Sequence, residues 1–199
     1  MKFSEESYIY KIMGIDNGSS MLGMVIVLLD LRLGHYHVVD RATFVAEKLL
    51  SHHTGTISSH GARWARQNTI QDCIRRELRY HNPHAVAVET PFFMPRRVQS
   101  FETLTEMMIF IRIAVDEWSG KDIIRVTPGE AKRAVQPKDK SVKFTMKKLV
   151  IRDCVLAMPN LSFSEDIDKA NLTEHEYDAI AVAIHHGENI RRENGFLRK

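Results

Sequence analysis

Asp16 closes the apolar run YKIMGID, Glu89 closes AVAVE, and His175 and Asp178 open the segment HEYDAIAVAI. A carboxylate at the end of a buried strand is costly to desolvate unless something compensates its charge. A divalent cation does so, and an oxygen-rich donor set suits Mg²⁺. His175 and Asp178 are three residues apart, so on a helix they share one face and address the same ions. Glu174 lies four residues before Asp178 on that face and competes for the role. Glu176 reads more simply as an acid that enriches the first helical turn in negative charge. The plain reading of Asp16 alone is a turn residue before Asn17-Gly18, and Glu89 with Asp178 shifts the balance toward a ligand.

A second chemical feature is basic. KRAVQPKDKSVKFTMKK, from Lys132 to Lys148, gathers cations in a chain whose net charge is only +3. Such a stretch is a candidate footprint for phosphates, although a lysine run on a helix is more often a solvated face. Cys73 and Cys154 are the only cysteines. Both fall in helix-like stretches and read as reduced, buried thiols rather than a disulfide or metal pair. The histidine pairs His52-His53 and His185-His186 lack the cysteine partners and spacing of a zinc site.

These residues need elements to hold them. At 199 residues and 44% apolar content, the chain fits one compact domain over residues 1–199. No apolar run reaches the ~20 residues of a membrane span, and MKFSEES is not a secretory signal. The expectation is a soluble cytoplasmic protein. Tyr8 to Asp16, Met21 to Leu31 and His35 to Ala46 read as strands, joined by connections so short that neighbours must be antiparallel. Ser58 to His81 reads as a helix with Trp64, Ile70, Ile74 and Leu78 facing inward, ending near Asn82-Pro83. HAVAVET is a buried strand, Pro95 opens a helix through VQSFETLTEMMIFIRIAVDEW, and DIIRV is a short strand. Leu104, Met107, Met108, Ile111 and Val115 give that helix a broad apolar face. Thr127 caps a helix, another runs from about Asp139 to Ala157, and Thr173 with Glu176 forms a capping box for the last. Strand, helix and strand in alternation imply parallel additions to the sheet.

This is an α/β arrangement in the order of a ribonuclease-H-like fold, expected as a mixed five-stranded sheet of three antiparallel strands and two parallel additions. The residues resemble the RuvC-type Holliday junction resolvases, phage-type members included. GIDNGSS at Gly14 is similar to that family's first-strand motif, AVAVETPFF at Ala85 to its central motif, VTPGEAKRAV at Val126 to its next strand and helix start, and HEYDAIAVAI to its final helix. Four motifs in order are far more specific than a lone acidic residue on a strand. Asn17 departs from the proline common after the first aspartate, but Asn-Gly itself favours a tight reversal.

The resemblance implies a divalent-metal-dependent endodeoxyribonuclease that resolves four-way junctions by paired nicks during recombination or processing of replicated DNA. It assigns Asp16, Glu89, His175 and Asp178 to metal binding and catalysis, His175 standing where the family varies between acid and histidine. Two Mg²⁺ ions, for which Mn²⁺ substitutes, would sit about 3.5–4 Å apart, one activating water and the other stabilising the leaving oxygen. Phe92 matches an aromatic that stacks on bases at the branch point, with Phe93 beside it. Such stacking contributes roughly 1–3 kcal/mol per base. Lys132 and Lys143 resemble basic residues near the scissile phosphate, while Arg96, Arg97, Lys138, Lys140, Lys147 and Lys148 are candidates for wider backbone contacts. The implied partners are branched DNA and a second copy of the chain in a two-fold dimer that uses the helix after Pro95. Other readings are a broader fork and flap nuclease, and a junction-binding scaffold that would have lost the ligands. An actin-like or sugar-kinase-like nucleotide-binding protein would need a second large domain.

Overall fold

The computed structural model describes residues 8–18, 20–50, 54–93, 95–96, 98–137 and 148–197. Three strands come first: β1 (Ile9–Asp16), β2 (Met21–Asp30) and β3 (His35–Val45), paired antiparallel as expected from their short connections. After the one-turn α1 (Ala46–Leu49) and the long α2 (Thr54–His81), β4 (Ala85–Glu89) joins β1 in parallel. Helix α3 (Val98–Ser119) then crosses to β5 (Ile124–Val126), parallel to β4. Helix α4 (Pro128–Val135) and α5 (Lys148–Leu156) precede the short β6 (Leu161–Phe163), and α6 (Glu174–Glu193) closes the described fold.

Among the described residues the sheet has six strands in the order β5-β4-β1-β2-β3-β6, not five. The additional strand is β6, which pairs in parallel with β3 through Tyr36, His37 and Val38. Its three residues lie in a stretch that reads as a loop, too short for any alternation to show. Side chains add to the backbone pairing at this edge: Ser162 Oγ lies 2.8 Å from both His35 Nε2 and His37 Nδ1, and Asn160 Nδ2 donates to Gly34 O at 2.7 Å.

Alternation along β1 divides the core into two layers. Tyr10 and Ile12 face α4, α5 and α6, whereas Met13 and Ile15 face α2 and α3. Ile70, Ile74 and Leu78 of α2 are fully buried, but Trp64 is 44% exposed. Trp64 lies six positions before Ile70 and about 120° from it around the helix, at the edge of the buried face. The inward orientation expected for it is corrected accordingly. Helix α2 starts at Thr54 and carries a break at Gly61, whose φ of 83° is left-handed. Helix α3 begins at Val98 rather than Pro95, and Met107, Ile111 and Val115 are buried as its pattern predicts. Both cysteines are buried free thiols. Among the described residues no helix is long and apolar enough to cross a membrane.

Candidate metal centre

Strand register brings the two strand-end carboxylates together. Ile15 pairs with Val88 in the parallel β1–β4 ladder, and the next position on each strand is Asp16 and Glu89. Glu89 pairs in turn with Val126, the last residue of β5, so α4 begins beside it after the Thr127 cap. Across the other edge of β1, Asp16 pairs with Gly23 and Gly23 with Thr43, making a lateral row over three strands.

The start of α6 lies over that row. A Cβ on Gly23 would sit 2.3 Å from His175 O, and one on Gly14 would sit 2.3 Å from Ala179 O. Only glycine leaves room for a helix backbone at this distance from the sheet. Both helix starts near the site also carry the expected capping box: Thr127 with Glu130 on α4, and Thr173 with Glu176 on α6.

The seating delivers His175 onto Asp16. Nδ1 of His175 lies 2.6 Å from Asp16 Oδ2, and Asp16 is only 8% exposed. Glu89 faces the same place. Burial pushes its carboxyl up to about 9, assisted by a hydrogen bond to Asp16 and by the charges of Asp16 and Asp178, while the Lys132 ammonium pulls it back. At neutral pH Glu89 therefore holds a proton and donates it toward Asp16. Glu174 is exposed, with Oε1 4.0 Å from His175 Nε2.

His175 meets Asp16 directly, and Glu89 sits half-buried beside Asp16 within reach of the charge of Asp178. That donor set fits a divalent cation, which relieves the same crowding with more charge than a proton supplies. As placed, no three His, Cys, Asp or Glu side chains among the described residues form a ready ligand set. Asp16, Glu89 and His175 are instead turned onto one another.

The remaining site residues divide into two groups. Phe92 and Phe93, in the loop after Glu89, are 67% and 52% exposed. Phe93 packs edge-on against Phe101 at 5.4 Å between ring centroids. Arg96 is exposed, and Lys132 is half-buried on α4 and coupled electrostatically to Glu89. Arg97, Lys138, Lys140, Lys143 and Lys147 lie outside the described residues, and Lys148 begins α5.

Two residues do more than the turn and capping roles expected of them. Asn17, 8% exposed, donates through Nδ2 to Leu104 O at 3.0 Å and so ties the end of β1 to α3. Glu176 is completely buried and meets Arg41 Nη1 at 3.3 Å. The signal for Glu176 was its place between two apolar-face positions of a helix, where an acid of the solvated face does not belong.

Comparison with models of protein families finds no match, and no curated protein matches the chain. Solved structures do. RuvC of Thermus thermophilus, in complex with a Holliday junction substrate, aligns with a TM-score of 0.64 over 92% of this chain and 96% of that one, at 21% identity. The fowlpox virus Holliday junction resolvase aligns over 92% and 99% with a TM-score of 0.51 at 13% identity. The yeast mitochondrial Holliday junction resolvase aligns over 94% and 86% with a TM-score of 0.51 at 10% identity.

This chain has the ribonuclease-H-like fold of those resolvases. The alignments run through more than nine-tenths of its length.

Proposed function

We propose that this protein is a divalent-metal-dependent endonuclease acting on branched DNA, with four-way junctions as its principal substrate and residues 1–199 forming one nuclease domain. The observation that carries the reading is the convergence of Asp16, Glu89 and His175, with Asp178 coupled to them, where a resolvase-like fold joins its two central strands to its last helix. Asp16, Glu89, His175 and Asp178 are the residues that would hold Mg²⁺ or Mn²⁺. Bound there, the metal would acidify a water nucleophile and stabilise the leaving oxygen. Lys132, already close enough to act on Glu89, neutralises the phosphate that approaches the carboxylates. Phe92 offers an exposed ring to a base unstacked at the branch point. Paired nicks on strands of like polarity need two such sites related by a two-fold axis, hence a homodimer.

The test is cleavage of labelled four-way junction, fork, flap and duplex DNA by the purified protein, with Mg²⁺ or with chelator, alongside Asp16→Asn. Paired junction nicks are expected, abolished by chelator and reduced more than about 100-fold in the variant, beyond what supporting residues around a metal normally cost. Junction affinity should stay near that of the unaltered protein. Metal-dependent cutting by Asp16→Asn removes Asp16 from the chemistry. Preference for forks or flaps redirects the substrate, and tight junction binding without cleavage in any metal favours a scaffold.

A further inference from the structure

We infer that Arg41 and Glu176 form a buried clamp that positions the metal-binding face of α6, an inference that rests on the metal-centre reading above. His175 and Asp178 come from the first turns of a helix, the part with the fewest intrahelical hydrogen bonds and the first to fray. Something outside the helix must hold that turn in register with the sheet. The row Asp16, Gly23 and Thr43 supports one side of it: His175 reaches Asp16, its backbone lies on Gly23, and Thr173 Oγ1 lies 2.8 Å from Thr43 Oγ1. The next row, two residues along each strand, is Gly14, Val25 and Arg41. Ala179 lies over Gly14, and Glu176 reaches Arg41.

Glu176 makes both halves of this attachment at once. Its Oε2 accepts from Thr173 N at 2.7 Å within the capping box, and its Oε1 receives Arg41 Nη1 at 3.3 Å. The carboxylate is wholly buried, while the Arg41 side chain keeps 35% of its surface exposed. A buried carboxylate with its cation removed is far worse off than a neutral pair of similar shape. Loss of Arg41 alone should therefore drive Glu176 out of its seat and carry His175 and Asp178, on either side of it, away from Asp16. Arg41 does not touch the reacting groups, so its role is positional.

The experiment measures Mn²⁺ binding by calorimetry and electron paramagnetic resonance, with kcat and KM for junction cleavage, in Arg41→Met, Arg41→Lys, Glu176→Gln and the double variant Arg41→Met/Glu176→Gln. Arg41→Met should weaken Mn²⁺ binding about tenfold, the range for residues that orient metal ligands, and lower kcat with little change in KM. Arg41→Lys retains the charge and should bind Mn²⁺ nearly as the unaltered protein does. Glu176→Gln keeps the capping-box acceptor and removes the buried charge, so the double variant should recover most of the affinity lost in Arg41→Met.

Unchanged Mn²⁺ affinity in Arg41→Met overturns the clamp. So does a defect confined to KM and to the salt dependence of DNA binding, which would make Arg41 a phosphate contact. A defect undiminished in the double variant overturns it as well. An unaltered protein that binds Mn²⁺ but cuts no DNA defeats the proposed activity without touching this result.

Discussion

At the scale of single residues, the informative group is Glu89. Its carboxyl ordinarily ionises near 4.5 and in the folded protein near 9, raised first by burial and then by Asp16 and Asp178. Between those values the folded protein keeps a proton that the unfolded chain has released. Stability of the metal-free protein must therefore fall as pH rises through this window. Glu89→Gln retains a donor toward Asp16 and abolishes the titration. Calorimetric melting in chelator should show the unaltered protein losing stability from about pH 5 to pH 9, with the variant losing much less and melting several degrees higher at the alkaline end. Divalent metal should reverse the order, because only the carboxylate competes for the ion. A flat profile in the unaltered protein would mean that Glu89 is already ionised without metal. The four proposed ligands could be named from the sequence because strand-end acids and an i, i+3 pair are local patterns. The raised carboxyl of Glu89 was not, since it depends on a register between strands more than seventy positions apart.

At the scale of elements, the site exists because α6 lies unusually close to the sheet, and Gly14 and Gly23 permit it. Gly23→Ala would place a methyl against the backbone of His175, so either helix or strand must shift. Overpacking of this kind costs about 1–3 kcal/mol. Urea unfolding should report that loss, and metal-dependent cleavage should fall by more than the loss of folded protein explains. Cleavage that merely tracks the folded fraction would show that α6 can shift without moving His175. The order of strands and helices was readable from periodicity and capping residues, including the boxes at Thr127 and Thr173. β6 was not, because its three residues are held to β3 partly through Ser162, His35 and His37, contacts that no local pattern encodes. Trp64 differs for another reason: an aromatic in an apolar-periodic helix is expected inward, yet it sits at the edge of the buried face, packs against Phe110 and stays partly exposed. Glu176 shows the converse, an acid that composition assigns to solvent and that tertiary contacts bury beside Arg41.

At the scale of the whole molecule, the question is what covers the outer side of α2 and α3. Trp64, Ile109 and Phe110 line a groove of about 360 Å³ between these helices, and the Arg63 to Glu106 ion pair lines it too. Ile109 is 53% exposed and Ile113, one turn further along α3, is 42% exposed. Apolar residues clustered on one helix face, rimmed by charge, are the composition of an association surface rather than of scattered solvent contacts. A second copy is the occupant that the proposed activity requires, because a self-complementary patch generates a two-fold pair and a two-fold pair supplies two cutting centres for one junction. Ile109→Glu/Ile113→Glu places two carboxylates in that face and leaves the buried residues Met107, Ile111 and Val115 untouched. Sedimentation velocity should find the unaltered protein as the proposed dimer and the variant as a monomer, while circular dichroism stays unchanged. On a four-way junction the monomer should nick one strand at a time and lose the coordinated second cut. A variant that remains dimeric places the interface elsewhere, and a monomer that still makes paired nicks within one binding event breaks the link between two-fold symmetry and resolution.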